Sequence, residues 1–204
     1  MKHKHISLAL ICTLLLLFFA SCAKQPPAPQ PTEPPPEGSG TLTISFDFEK
    51  QSGPASNQFA VWIEDKKGNL IKTLCATEFT AKGGWRRRPD SLAIWVGKAL
   101  DASDFDAVAT ATPRKNMKPQ SFQWDLTDEA GKAVPKGTYL FFVEGTLKWK
   151  NYVLYSGEIK IDGAGAIVEA TPAFFFAGEG RQPALDENAA ECGMITNVLA
   201  EYIP

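Results

Sequence analysis

Residues 125–143 read DLTDEAGKAVPKGTYLFFV, with two glycine turns and a proline set directly before a run of Tyr, Leu, Phe, Phe and Val. Residues 128–131 make one turn. Pro135, Lys136 and Gly137 make another, in which glycine supplies a positive φ. Tyr139, Phe141 and Val143 then alternate with Leu140 and Phe142, the period of a strand. The turns set the entry angle of a core strand, so this stretch is scaffold and carries no chemistry.

The same period recurs on both sides. In TLTISFDFE, Leu42, Ile44, Phe46 and Phe48 share one face while Thr41, Thr43, Ser45 and Asp47 share the other. QFAVWIEDKKGNLIKTL follows as a hairpin: Phe59, Val61 and Ile63 alternate, Lys67, Gly68 and Asn69 turn, and residues 70–74 return. NYVLYSGEIKI reads as a strand pair around Gly157, and AIVEATPAFFF continues the pattern. MITNVLAEYI suits either strand or helix. Gly193 before it favours a strand with Met194, Val198, Ala200 and Tyr202 on one face, Thr196 among them. Many short strands, glycine turns and little helical periodicity predict an all-β antiparallel sandwich. Phe46, Val61, Trp124, Tyr139, Phe141 and Val143 are its expected core.

FAVWIEDKKGNLIKTL together with FQWDLTDEAGKAVPKGTYLFFVEG resembles the immunoglobulin-like domain of the flagellar hook-capping protein. Trp124, Asp125, Asp128, Gly131, Val134, Pro135, Gly137 and Tyr139 match, and Leu126 stands where that family often has glycine. From about Thr41 the chain also resembles the DUF2271 family of uncharacterised bacterial periplasmic proteins. The resemblance implies an immunoglobulin-like or fibronectin-like sandwich and no activity, because the matched residues are structural.

The N-terminus reads MKHKHISLALICTLLLLFFASCAKQ. Lys2 and Lys4 precede an apolar run at 6–20 that is too short to span a membrane comfortably and sits in signal-peptide position. Ala20, Ser21 and Cys22 resemble a bacterial lipobox, with Phe19 where leucine is preferred. The resemblance implies a signal peptide at 1–21, cleavage before Cys22 and lipidation of its thiol and new amine, which anchors the protein to membrane lipid without a span. The segment at 22–40, with seven prolines after Cys22, reads as an extended tether. The folded domain is expected at 41–204, about 165 residues, enough for one core. Ala23 lacks the aspartate that commonly retains lipoproteins at an inner membrane, which favours the outer membrane or the periplasmic face of the cell envelope.

Both histidines, His3 and His5, fall in the signal segment, so a mature chain has none. Ser-His-Asp and Cys-His catalysis and histidine-ligated metals are thereby excluded. No acidic pair stands out, and the chain is read as non-enzymatic and without a metal site. A formal charge of -2 argues against nucleic-acid binding. Cys75 and Cys192 are compatible with a disulfide or with two buried thiols.

An insert at about 75–120 separates the hairpin from Trp124 and is the expected seat of function. Pro89, Asp90 and Ser91 are expected to open a short helix, capped by Asp90 or Ser91, with residues 92–100 as its body. Trp85 flanks Arg86, Arg87 and Arg88. These residues, with Trp95, are the candidate ligand-binding set for a small anion, against the alternative of a solvated charge run beside a packing tryptophan. DAVATAT, residues 106–112, resembles the acceptor motif on which a bacterial flavin transferase attaches FMN to threonine as a phosphoester. Asp106, Ala107, Ala111 and Thr112 fit, whereas Ala109 and Thr110 depart from it. The resemblance implies Thr112 as acceptor and Asp106 as a recognition residue, with a flavin transferase and a redox protein as partners. Arg114 and Lys115, with the three arginines, stand ready to offset phosphate charge. Three functions therefore remain: a non-enzymatic interaction or structural module, a covalent FMN carrier in extracytoplasmic electron transfer, and a binder of small anions.

Overall fold

The computed structural model describes residues 37–52, 55–100, 109–113, 116–148, 151–177, 183–185 and 193–204. Cys22, most of the tether, Asp106, Arg114, Lys115 and Cys192 lie outside the described residues.

The strands are β1 (Thr41–Phe48), β2 (Ala55–Asp65), β3 (Leu70–Thr77), β4 (Ala109–Thr110), β5 (Met117–Trp124), β6 (Gly137–Lys148), β7 (Asn151–Ile161), β8 (Ala166–Glu169), β9 (Thr171–Ala177), β10 (Pro183–Leu185) and β11 (Ile195–Ile203). Two short helices, α1 (Glu78–Ala81) and α2 (Ala93–Ala99), and a 3-10 turn (Gly84–Arg86) lie between β3 and β4. One sheet has the order β5-β1-β11-β8, the other β10-β9-β7-β6-β2-β3-β4. Neighbours run antiparallel except β3 and β4, which are parallel. The expected all-β sandwich is what the chain forms.

Between the sheets lies the main core. Alternate residues of β1, namely Leu42, Ile44, Phe46 and Phe48, meet Phe59, Val61 and Ile63 of β2 and Tyr139, Phe141 and Val143 of β6. The aromatic rings pack edge-on, Phe46 to Phe59 at 5.3 Å and Trp124 to Tyr139 at 5.2 Å. The stretch at 125–143 does what its residues suggest. Asp128 and Gly131 close a turn, Gly131 with φ 76°. Trp124 donates its indole N–H to the Thr127 carbonyl at 2.7 Å, and the Tyr139 hydroxyl donates to the Pro135 carbonyl at 2.7 Å. One detail differs. Gly137 opens β6, and the other left-handed residue in the stretch is Leu126, with φ 58°. That buried leucine occupies the position where the matched turn pattern has glycine, the residue that takes this conformation without strain.

One other expectation is corrected. Gly157 is no turn; it lies in the middle of β7, opposite Phe141 in β6. A Cβ there would stand 2.3 Å from the Phe141 ring, so glycine makes room for a core aromatic. AIVEATPAFFF continues the strand pattern as expected, as two strands. It crosses between sheets at Ala170, leaving β8 beside β11 and β9 beside β7. The C-terminal segment is a strand, buried at Val198, Ala200 and Tyr202. Its alternation slips near Asn197, whose φ of 55° coincides with a bulge in the β1 register. The domain also reaches back beyond Thr41. Gly38 N–H bonds the Val134 carbonyl at 2.7 Å and the Tyr202 hydroxyl bonds the Ser39 carbonyl at 2.6 Å.

Trp124 is fully buried. Trp124→Ala is expected to lower stability by about 3–5 kcal/mol. Denaturant unfolding of the purified variant measures this, and a transition matching the wild type would contradict the core assignment.

Candidate functional site

Around β2 and β6 the larger sheet is covered on both faces. Inward residues of β2 and β6 fill the sandwich core. Outward residues, among them Ala60, Trp62 and Phe142, pack under the insert against Ala81, Leu92, Trp95, Val96 and Ala99. The insert is therefore a third layer of the domain rather than an open loop. Trp62 and Phe142 stack at 5.0 Å with their planes 13° apart.

Polar side chains interrupt this outward face. In register across β2 and β6 stand Gln58 opposite Thr146 and Ala60 opposite Glu144, and further along β2 lies Glu64. Gln58, Glu64, Glu144 and Thr146 are 5%, 3%, 0% and 0% exposed, so each needs a partner. The insert supplies them. Glu144 accepts the backbone N–H of Ile94 at 3.2 Å and of Trp95 at 2.7 Å. Thr146 accepts Leu92 N–H at 2.8 Å. Glu64 accepts the Trp62 indole N–H at 2.7 Å and Lys98 Nζ at 2.9 Å. Trp95 donates its indole N–H to Thr73 at 3.2 Å.

These bonds correct the expected helix start. The residue before α2 is Leu92, left-handed at φ 51°, and no side chain at that position caps the helix. Neither Asp90 nor Ser91 takes the role. The first free N–H groups of α2 are satisfied by Glu144, fifty residues further along the chain. Ser91 is buried and shares a 2.7 Å hydrogen bond with Thr80.

At the far edge of this layer stands Thr112. Its Oγ1 accepts a hydrogen bond from Gln58 Nε2 at 3.0 Å. The other end of that amide is fixed: Gln58 Oε1 accepts from Thr77 at 2.6 Å and from Thr80 at 3.4 Å. Thr77 also accepts the Phe59 N–H. The β2 backbone prepares this. Asn57 is left-handed at φ 54°, and a register shift between Ala55 and Gln58 marks a bulge just before the amide. Two residues ahead of Thr112, β4 pairs with the end of β3. Thr112 and Pro113 are half-buried and Ala111 is exposed.

The other sequence candidates divide. Trp85 is half-buried against the insert cluster, with the Arg86 guanidinium 4.9 Å above its ring. Arg87 and Arg88 lie over Phe79 at 5.9 and 5.7 Å. Trp95 is 1% exposed, so the expected exposed platform is absent at that residue: it is a core side chain under α2. Cys75 is buried, and burial pushes its thiol pKa well above the usual value. The sequence reading missed Gln58 and Glu144. A lone acid inside the apolar run of β6 was the available signal for the second.

The fold and site together define a β-sandwich module whose larger sheet carries a helical insert, with one threonine hydroxyl held at the insert's edge by a buried amide. The chain belongs to the DUF2271 family, described as predicted periplasmic proteins, whose model matches residues 41–173. No curated protein and no solved structure was found to match it.

Burial raises the Glu144 pKa from 4.5 to about 7, against the two N–H groups that lower it. Its folded pKa thus lies above the unfolded one. The stability it contributes is complete below about pH 4.5 and is lost as pH rises through 7. Wild-type protein is expected to lose about 3 kcal/mol relative to Glu144→Gln between pH 4.5 and pH 8. Chemical unfolding of both proteins across that range measures the difference, and parallel pH profiles would contradict it.

Proposed function

We propose that this protein is a non-enzymatic, lipid-anchored carrier of the cell envelope that bears FMN as a phosphoester on Thr112. A separate transferase attaches the flavin after export, and the carrier serves electron transfer. The supporting observation is the hydrogen bond from Gln58 Nε2 to Thr112 Oγ1. An acceptor hydroxyl has to be reachable, oriented and free to lose its proton when an O–P bond forms. Gln58 orients Thr112 Oγ1 while donating to it. That leaves the hydroxyl proton available for removal, and the same donation persists to the ester oxygen of the product. Small neighbours at Ala109 and Ala111 leave room for an enzyme pocket, and the family is described as periplasmic, where such a transferase works.

The anchor belongs to the same proposal: Cys22 carries the lipid and holds the sandwich at the membrane face, on the outer membrane where there are two. A sandwich with no flavin would act as a positioning module at the same membrane, for which the scaffold likeness of residues 124–139 to the hook-capping domain offers a precedent.

Co-expression with a flavin transferase in an exporting host, followed by intact-mass measurement, tests the carrier. The expected result is an added mass of one FMN, lost in Thr112→Ala and kept in Thr110→Ala. Unmodified protein, under conditions that fully modify a known acceptor, would contradict it. Cys22→Ser is expected to release the protein from the membrane fraction, and unchanged fractionation would contradict the anchor.

A further inference from the structure

Four buried side chains, Gln58, Thr77, Thr80 and Ser91, form a chain of hydrogen bonds that ends on the Thr112 hydroxyl. Ser91 and Thr80 share a bond of 2.7 Å, Thr80 reaches Gln58 Oε1 at 3.4 Å, and Thr77 reaches the same oxygen at 2.6 Å. Thr77 gives the chain its direction. Its Oγ1 accepts the Phe59 backbone N–H at 3.2 Å, and its own proton is donated to Gln58 Oε1. Gln58 therefore presents its carbonyl oxygen to Thr77 and its NH2 group to Thr112. Turned over, the amide would set an N–H against the Thr77 hydroxyl and take away the acceptor of a buried proton, which is costly.

Thr77 also places the backbone that leads to Thr112. In the parallel pairing of β3 with β4 its register partner is Thr110, two residues before the acceptor. We propose that Thr77 is a positioning residue for flavin attachment: it sets the Gln58 amide so that Thr112 Oγ1 receives a hydrogen bond and keeps its own proton for the transferase. This rests on the carrier reading above. In the transfer step the FMN phosphate arrives as a diphosphate ester of a nucleotide. The Thr112 Oγ1–P bond forms and the P–O bond to the second phosphate breaks. The leaving nucleotide keeps that electron pair, and the Thr112 proton passes to a base of the transferase. A Gln58 amide presented the other way would draw the Thr112 proton to Oε1 and hold it from that base. The effect falls on the step rather than on recognition of the loop, so it belongs in kcat more than in KM.

The test has two parts, both on purified protein carrying Cys22→Ser so that no anchor is present. In the first, NMR reads nuclear Overhauser contacts between the Gln58 side-chain NH2 and the Thr112 methyl group. They are expected with Thr77 and with Thr77→Ser, and are expected to be lost in Thr77→Val. Their absence with Thr77 in place would overturn the proposal, and that reading needs neither a folded variant nor a flavin. In the second, a flavin transferase attaches FMN from flavin adenine dinucleotide, followed by intact mass over a range of acceptor concentrations. Rates are compared at a temperature where all three proteins are folded. Thr77→Val is expected to lower kcat at least about tenfold with little change in KM, and Thr77→Ser to keep the wild-type rate. Equal rates with Thr77 and with Thr77→Val, or a loss of the same size in Thr77→Ser, would overturn the positioning role alone. Protein with Thr77 in place that takes no FMN, while a known acceptor is fully modified, would sink the carrier and the positioning role together.

Discussion

The centre of the larger sheet, β2 and β6, has to be covered on both faces, and the placing of the insert follows from that. β2 and β6 present apolar side chains inward to the sandwich and outward to the insert. A two-layer sandwich would leave Trp62, Phe142 and Ala60 in water. It would also leave Glu144, Thr146 and one oxygen of Glu64 to be satisfied by water instead of by the insert. A layer that covered this face without supplying partners would bury these polar groups unpaired, at a cost of several kcal/mol in sum. The helical insert removes both problems together. Its apolar side chains cover the sheet while its backbone N–H groups, Lys98 and the threonine hydroxyls meet the polar ones.

The same constraint places the candidate acceptor. Gln58 faces outward by the alternation that also turns Ala60 and Trp62 outward, and one end of its amide bonds Thr77 and Thr80. Its Nε2 donates to Thr112. The proposed carrier role draws on this arrangement. α1 touches the Gln58 amide through Thr80 and supports Arg87 and Arg88 through Phe79.

Much of the sandwich was legible because its signals are local. Period-two alternation in β1 and β6, the Gly68 turn and the glycines around Asp128 each depend on residues a few positions apart. The C-terminal strand was legible from Gly193 and the spacing of Val198, Ala200 and Tyr202. The helix in the insert was seen, but its cap was not, because Glu144 comes from a distant strand and Leu92 adopts a conformation unusual for leucine. Gly157 looked like a turn because nothing in the sequence says that Phe141 presses on it from the neighbouring strand. Trp95 looked like a surface residue because the burial of the sheet's outer face was not recognised. The run FAVWI in β2, apolar at successive positions, was the clue to burial on both sides. Thr112 was flagged by motif alone, and its link to Gln58 joins residues far apart in the chain.

Native-state hydrogen exchange at the start of α2 tests most directly whether the insert is an integral layer pinned by the sheet. The N–H groups of Leu92, Ile94 and Trp95 bond to Thr146 and Glu144, which are fully buried. They are expected to exchange only on global unfolding, as slowly as the central amides of β2 and β6. Exchange at these three positions far faster than in the sheet would show an insert that opens by itself. It would contradict the account of Thr112 as a residue held on a fixed edge.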